Sequence, residues 1–201
     1  RAGRASAIRA CIACNQGCAG MLERNLPIRC MVNPMAGMEG VWPEPAAAPA
    51  PAPRKGLVIG GGPAGMEAAT TAAALGHAVS LWEAEPHLGG RLIWTRSMPK
   101  RAGFAEMLDR QACALHRAGV DIRRNTRAGI DAIEAFGADA ILLATGAAPA
   151  VPSLPGGGAL RSLTQALADP AALGPRVAVA DFTGDWPALS VVERLADLGL
   201  D

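Results

Sequence analysis

Lys55-Gly56-Leu57-Val58-Ile59-Gly60-Gly61-Gly62-Pro63-Ala64-Gly65-Met66 decides the fold of this chain. Gly56–Ile59 is a short apolar run of strand length, and a glycine-rich turn follows it at once. Met66–Leu75 is then rich in small residues and closes on Gly76, the position where a helix end favours glycine. Ala78–Trp82 is a second apolar run, ending at Glu83. Strand, glycine turn, helix and strand make a βαβ unit, whose two strands lie parallel. Within it, Gly60, Gly62 and Gly65 fit G-x-G-x-x-G. Such a pattern means little alone, but here it follows a strand and opens a helix, the context a dinucleotide needs.

Each position has a physical role. Gly60 allows the tight turn, Gly62 lets a pyrophosphate approach the backbone, and Gly65 lets the helix pack on the strand. Gly61, Pro63 and Ala64 complete the loop, whose helix N-terminus offers its positive end to phosphate. Glu83 lies 23 residues after Gly60, where a carboxylate accepts hydrogen bonds from ribose hydroxyls. An acid there suits FAD, ADP or NAD better than NADP. Glu85 reads as a solvated acid. Leu88-Gly89-Gly90-Arg91 and Leu143-Ala144-Thr145-Gly146 are further turns, from which Gly90, Arg91, Thr145 and Gly146 are candidate cofactor contacts.

Downstream the alternation continues. A helix is expected over Phe104–Arg117, strands over Val120–Arg123 and Ala138–Ala144, and a short helix over Leu163–Ala168. A fresh strand over Arg176–Ala180 and a helix over Ala188–Leu198 follow. The class is α/β with a parallel sheet.

Upstream the pattern differs. Cys11, Cys14, Cys18 and Cys30 are spaced Cys-x2-Cys-x3-Cys-x11-Cys, four of only five cysteines in 201 residues. Three close-set thiolates and a fourth further along can wrap a [4Fe–4S] cubane, and Gly17 and Gly20 let the backbone turn around Cys18. Structural zinc is the competing reading, but zinc sites favour paired knuckles or Cys/His pairs, and the nearest histidine is the distant His77. Cys113, among apolar residues of a predicted helix, reads as a small core residue. This usage points to ligation in a reducing cytoplasm rather than to a disulfide framework.

The predicted organisation is a cluster segment at 1–40, a Pro/Ala linker at 41–54, a nucleotide-binding domain at 55–160, and at 161–201 the start of a second nucleotide-binding-like domain. A net charge of +1 without a basic stripe does not suggest nucleic acid, and no apolar run reaches membrane-spanning length. His77, His87 and His116 are scattered and build no catalytic arrangement, so no catalytic residue is assigned. Trp42, Trp82, Trp94 and Trp186 read as packing groups, and Arg96, Lys100 and Arg101 as a solvated basic group. The chain starts at Arg1 and stops at Asp201, after a predicted helix, and is expected to be truncated at both ends.

Cys11–Cys18, Cys30-Met31-Val32-Asn33-Pro34 and Gly37-Met38-Glu39, followed in order by the Gly60 loop, Glu83, Leu88–Arg91 and Ala144–Gly146, resemble the trimethylamine dehydrogenase / 2,4-dienoyl-CoA reductase family. The resemblance spans essentially the whole chain. It implies a Rossmann-like, glutathione-reductase-like parallel sheet behind a [4Fe–4S] segment, and an upstream FMN-binding barrel belonging to the same full-length protein. It implies FAD in the first nucleotide domain, or ADP in its place. The expected role is electron transfer in an iron–sulfur flavoprotein, inactive without its barrel. An electron-transfer flavoprotein and a second copy of the chain are the other partners considered.

The loop Asp181-Phe182-Thr183-Gly184-Asp185 lacks G-x-G-x-x-G and sets two acids where a pyrophosphate would sit. It therefore favours the amine-oxidising branch over an NAD(P)H-dependent enoate or dienoyl-CoA reductase. A non-redox ADP-binding module is the alternative from another class.

Overall fold

A computed structural model describes residues 8–42, 49–151, 160–182, 184 and 186–201. The middle of the linker, the loop before Gly158, and Thr183 and Asp185 of the acidic loop lie outside the described residues.

Four strands form one all-parallel sheet: β1 (Lys55–Ile59), β2 (Ala78–Trp82), β3 (Asp121–Arg123) and β4 (Ala140–Leu143). Their order is β3-β2-β1-β4, so the chain starts centrally, steps outward twice, and crosses to the far side of β1. The reversal falls between β1 and β4, and open α/β sheets bind ligands in the crevice at such a point.

The strands alternate as a two-residue period demands. Val58, Val79 and Leu81 face one side, where they pack with Met66 and Ala69 of α2 (Pro63–Ala74) and Met107, Leu108 and Leu115 of α3 (Ala102–Arg117). Leu57, Ile59 and Trp82 face the other, against Ile133 and Phe136 of α4 (Ile130–Phe136). The Trp82 and Phe136 rings meet edge-on, with centroids 5.3 Å apart.

Cys113 is exposed, which corrects the expectation of a core residue. The buried stripe of α3 runs through Phe104, Met107, Leu108 and Leu115, and residue 113 lies half a revolution from residue 104 at 100° per residue.

The cysteine-bearing segment contains a single turn of helix, α1 (Ala19–Leu22), and is otherwise loop. It is nonetheless tied into the main core. Val32 is buried there, with Ile12 and Cys30 packed against it. The described end of the linker also lies on the domain: the Ala50 N–H donates to the Leu75 carbonyl at 2.8 Å. His77 is half-buried, and its Nδ1 accepts from the Arg54 N–H.

Among the described residues, four elements escape the sequence pattern: the single-turn α1, α4 and two 3-10 helices, Gly90–Ser97 and Pro170–Leu173. Conversely, Arg176–Ala180 forms no strand. Its only described backbone pairing is with the last residue: Val177 N–H donates to the Asp201 carbonyl and Asp201 N–H to the Pro175 carbonyl. An apolar run becomes a strand only beside a partner of similar length, and two hydrogen bonds do not make a ladder. The helix after it, α6 (Trp186–Asp197), pairs with α5 (Leu163–Ala168) around Leu167, Val191 and Leu195. A capping box starts α5, with Ser162 and Gln165 each accepting the other's backbone N–H.

Candidate functional site: a dinucleotide cleft and a cysteine loop

The C-terminal ends of β1, β2 and β4 converge on a cleft of about 720 Å³. Gly60, Gly62, Pro63 and Ala64 line it from the loop after β1, Glu83 from β2, Gly90 and Arg91 from the first turn of the 3-10 helix, and Thr145 and Gly146 from the loop after β4. Nine of the eleven candidate cofactor contacts therefore meet around one space.

The other two, Gly61 and Gly65, act by packing. A Cβ on Gly65 would fall 1.9 Å from the Gly60 carbonyl oxygen, so α2 lies against the strand end only because no side chain intervenes. A Cβ on Gly61 would meet Leu88 at 2.6 Å and the Glu83 carboxylate at 3.0 Å. Gly60 has φ +109°, in the region that favours glycine, and any Cβ there would strike the Ala144 carbonyl oxygen at 2.3 Å.

Glu83 is buried at 8% exposure. Its Oε2 accepts the Gly61 N–H at 2.6 Å and its Oε1 the Glu85 N–H at 2.8 Å. Two backbone donors thus fix the carboxylate and leave further lone pairs for hydroxyls in the cleft. The second glycine turn docks on the first: the Gly89 N–H donates to the Gly61 carbonyl at 2.9 Å, and a Cβ on Gly90 would come within 3.1 Å of Gly62 Cα. Gly62 caps α2, and Pro63 takes the first helical position, where a missing N–H costs nothing. The amides of the first turn point along the helix toward the cleft.

Sequence reading missed the wall formed by Thr126, Arg127 and Ala128 after β3, and Trp94. Their signal was positional, since the loop after a strand adjoining β2 opens at the same end of the sheet. Glu85 is exposed, as expected for a solvated acid, although it touches the cleft rim.

The basic group at 96–101 is tied up by protein partners. Arg96 bonds Asp109, and that bond holds the Asp109 carboxyl below the usual aspartate range and the guanidinium above its own. Lys100 pairs with Glu193 at 2.6 Å, and Arg101 lies over the Trp186 ring with its Nε donating to Ser190. Trp82, Trp94 and Trp186 pack as expected, but Trp42 is 49% exposed. In the acidic loop, Asp181 Oδ1 accepts the Gly184 N–H at 3.0 Å, so a carboxylate takes an amide within that turn.

None of the four cysteines of the upstream loop is in a disulfide; Cys11 and Cys18 are exposed and Cys14 and Cys30 half-buried. Among the described residues no three His, Cys, Asp or Glu side chains are grouped as for a metal ion. The backbone around them is nevertheless shaped for sulfur. Ala13 N–H points at Cys11 Sγ at 3.3 Å and Val32 N–H at Cys30 Sγ at 3.4 Å. Ala13 and Asn15 both have φ +54°, which coils the loop tightly. Arg29 N–H donates to the Gly17 carbonyl at 2.6 Å, and a Cβ on Gly17 would strike Arg29 O at 2.7 Å. The Cys18 and Cys30 segments therefore lie backbone to backbone. Four thiols are the donor type an iron–sulfur cluster takes, but among the described residues they are not drawn together as a metal site.

Parallel sheet, glycine loop and carboxylate together define a Rossmann-like flavoprotein fold of the redox enzymes. Residues 54–180 match the family described as pyridine nucleotide-disulphide oxidoreductase, so the chain belongs to that family, in its trimethylamine dehydrogenase / 2,4-dienoyl-CoA reductase group. It is 45% identical over 155 residues to an NADH oxidase of Thermoanaerobacter brockii, covering 77% of this chain and 24% of that protein. It is 33% identical to an N,N-dimethylglycine/sarcosine dehydrogenase of Chromohalobacter salexigens, covering 96% and 29%. Among solved structures, a 2-naphthoyl-CoA reductase in complex with 2-naphthoyl-CoA matches with TM-score 0.87 and 32% identity, over 99% of this chain and 30% of that one. The chain thus spans 24–30% of the length of these relatives.

Proposed function

We propose that the chain is the electron-transfer portion of an iron–sulfur flavoprotein oxidoreductase. The observation that carries this reading is the buried Glu83 carboxylate, fixed by the Gly61 and Glu85 amides opposite a helix N-terminus. That pairing suits an adenine nucleotide: the carboxylate takes the ribose hydroxyls, the first turn of α2 takes the pyrophosphate, and Arg91 at the rim supplies the cation. The ligand is FAD, or ADP in its place. The loop coils and N–H···S contacts support a [4Fe–4S] cluster on the four cysteines, a one-electron carrier when bound. FMN and the substrate pocket belong to a barrel elsewhere in a longer cytoplasmic protein, with an electron-transfer flavoprotein as candidate acceptor. No described helix is long and apolar enough to cross a membrane.

The protein's own contribution is positional. Gly60–Gly65 seat the phosphates, Glu83 orients the adenosine, and the amides of Ala13 and Val32 point at the sulfurs of Cys11 and Cys30. The acids of the 181–185 loop, and the likeness to a dehydrogenase of methylated glycines, favour oxidation or demethylation of a methylated amine. Likeness to an NADH oxidase and a CoA-ester reductase favours the second reading, an NAD(P)H-dependent reductase.

Bound-nucleotide analysis tests the cleft. Denatured protein should release one flavin or one ADP, and Glu83→Gln should weaken ADP binding about tenfold in calorimetry, near 1.4 kcal/mol. Equal affinity in wild type and variant contradicts the site.

A further inference from the structure

Two histidines that play no part in the sites above meet in a second recess. It measures about 310 Å³ and adjoins the nucleotide cleft, with which it shares His87 and Ile93. Its charged and titratable lining comes from four segments: His87 from the loop after β2, Arg96 from the 3-10 helix Gly90–Ser97, Asp109 and His116 from α3, and Arg124 from just after β3. Residues 109 and 116 lie seven positions apart, about two turns, so α3 presents both on one face. Leu88, Leu108 and Ile122 supply apolar lining.

The charges decide what this recess can hold. Arg96 is committed to Asp109, with Nη2 2.5 Å from Oδ1 and Nη1 3.3 Å from Oδ2, so that pair is neutral as a unit. Arg124 Nη1 donates to the Pro86 carbonyl at 3.4 Å, which tethers the guanidinium to the loop and leaves its other N–H groups for a ligand. Neither the His87 nor the His116 imidazole has a hydrogen-bond or ion-pair partner among the described residues. A metal ion is a poor occupant: no three ligating side chains are grouped among the described residues, and two guanidiniums repel a cation. An oxyanion suits the same donors, because guanidinium and imidazolium N–H groups make charge-assisted bonds to it. With both imidazoles neutral, Arg124 alone gives the recess a net positive charge, and each protonated imidazole adds another. Imidazoles gain their proton as pH falls through the range just below neutrality, so the recess gains anion affinity in that direction. His87, His116 and Arg124 are exposed, so solvent screens each contact and the affinity is modest.

We propose that His87, His116 and Arg124 form a proton-gated site for a small free dianion of the phosphate or sulfate type, beside the nucleotide cleft and separate from it. Arg124 supplies the permanent charge, the two imidazoles supply the gate, and the Arg96–Asp109 pair forms a wall.

The test uses the 201-residue chain, whose three histidines include a built-in control: His77 does not line the recess, and its Nδ1 accepts the Arg54 N–H. Sulfate is the probe because its charge stays constant where phosphate titrates. It replaces chloride at constant ionic strength while the imidazole proton signals are followed by NMR. At about pH 5.5, where imidazoles are protonated, sulfate should move the His87 and His116 signals and leave those of His77 in place. Its affinity should be about tenfold higher there than at about pH 8, or about threefold for each exposed imidazolium. His116→Gln should remove about threefold of the low-pH affinity and keep the response of His87. Arg124→Gln should abolish the response of both imidazoles, and Arg124→Lys, which keeps the charge, should restore part of it. Saturating ADP should leave the sulfate response at His116 unchanged. No movement of the histidine signals, equal movement of all three, or equal affinity at the two pH values overturns the site. So does a full response in Arg124→Gln, or loss of the response on adding ADP, which would place the sulfate in the nucleotide cleft.

Discussion

A single missing methyl group decides whether the phosphate loop closes. The Gly65 position leaves no room for one, because the Gly60 carbonyl oxygen would lie 1.9 Å away and is backbone that cannot swing aside. Gly65→Ala should cost about 3 kcal/mol or more in urea unfolding and abolish nucleotide binding. Gly40→Ala is the control: nothing lies within 4 Å of its Cβ, its φ is ordinary, and stability should stay within about 0.5 kcal/mol. Equal behaviour of the two variants contradicts the packing role. G-x-G-x-x-G with an acid at the end of the next strand is a local pattern, and its members meet at or beside one cleft. The role of Gly61 was not legible, because its neighbours Leu88 and Glu83 are more than twenty residues away.

Legibility of the elements depended on what each packs against. The strands β1 and β2 are apolar on both sides and covered on both, so their sequence signal was plain. Arg176–Ala180 carries a similar apolar signal but, among the described residues, has no ladder partner beyond Asp201 and forms no strand. The 3-10 helix Gly90–Ser97 was hidden by its glycines, which read as a turn. Its later part supplies Trp94 to the cluster of Leu167, Val191 and Leu195 that joins α5 and α6. Leu195 is buried at 4% exposure, so Leu195→Ala should cost about 2–5 kcal/mol locally. Hydrogen exchange should show α5 and α6 losing protection while β1, β2 and α3 keep theirs. Uniform loss across the sheet would mean that the helical pair and the sheet unfold as one unit.

Across the described residues, the cysteine loop packs on the side of the sheet covered by α2 and α3, with Val32 in the core, while the nucleotide cleft opens at the strand ends. Composition pointed to two regions separated by a proline-rich linker. Tertiary packing instead brings residues 8–42 onto α2 and α3 through Ile12, Cys30 and the Arg9–Glu67 pair. That attachment was invisible in sequence because it depends on contacts spanning up to 102 residues, such as Arg110 donating to the Ile8 carbonyl. The central claim is that this anchored loop carries electrons beside a bound nucleotide. The most direct measurement is iron, acid-labile sulfide and zinc per chain after anaerobic purification. About four irons and four sulfides, with a brown visible absorbance lost on reduction, are predicted. One zinc and no iron would contradict the account.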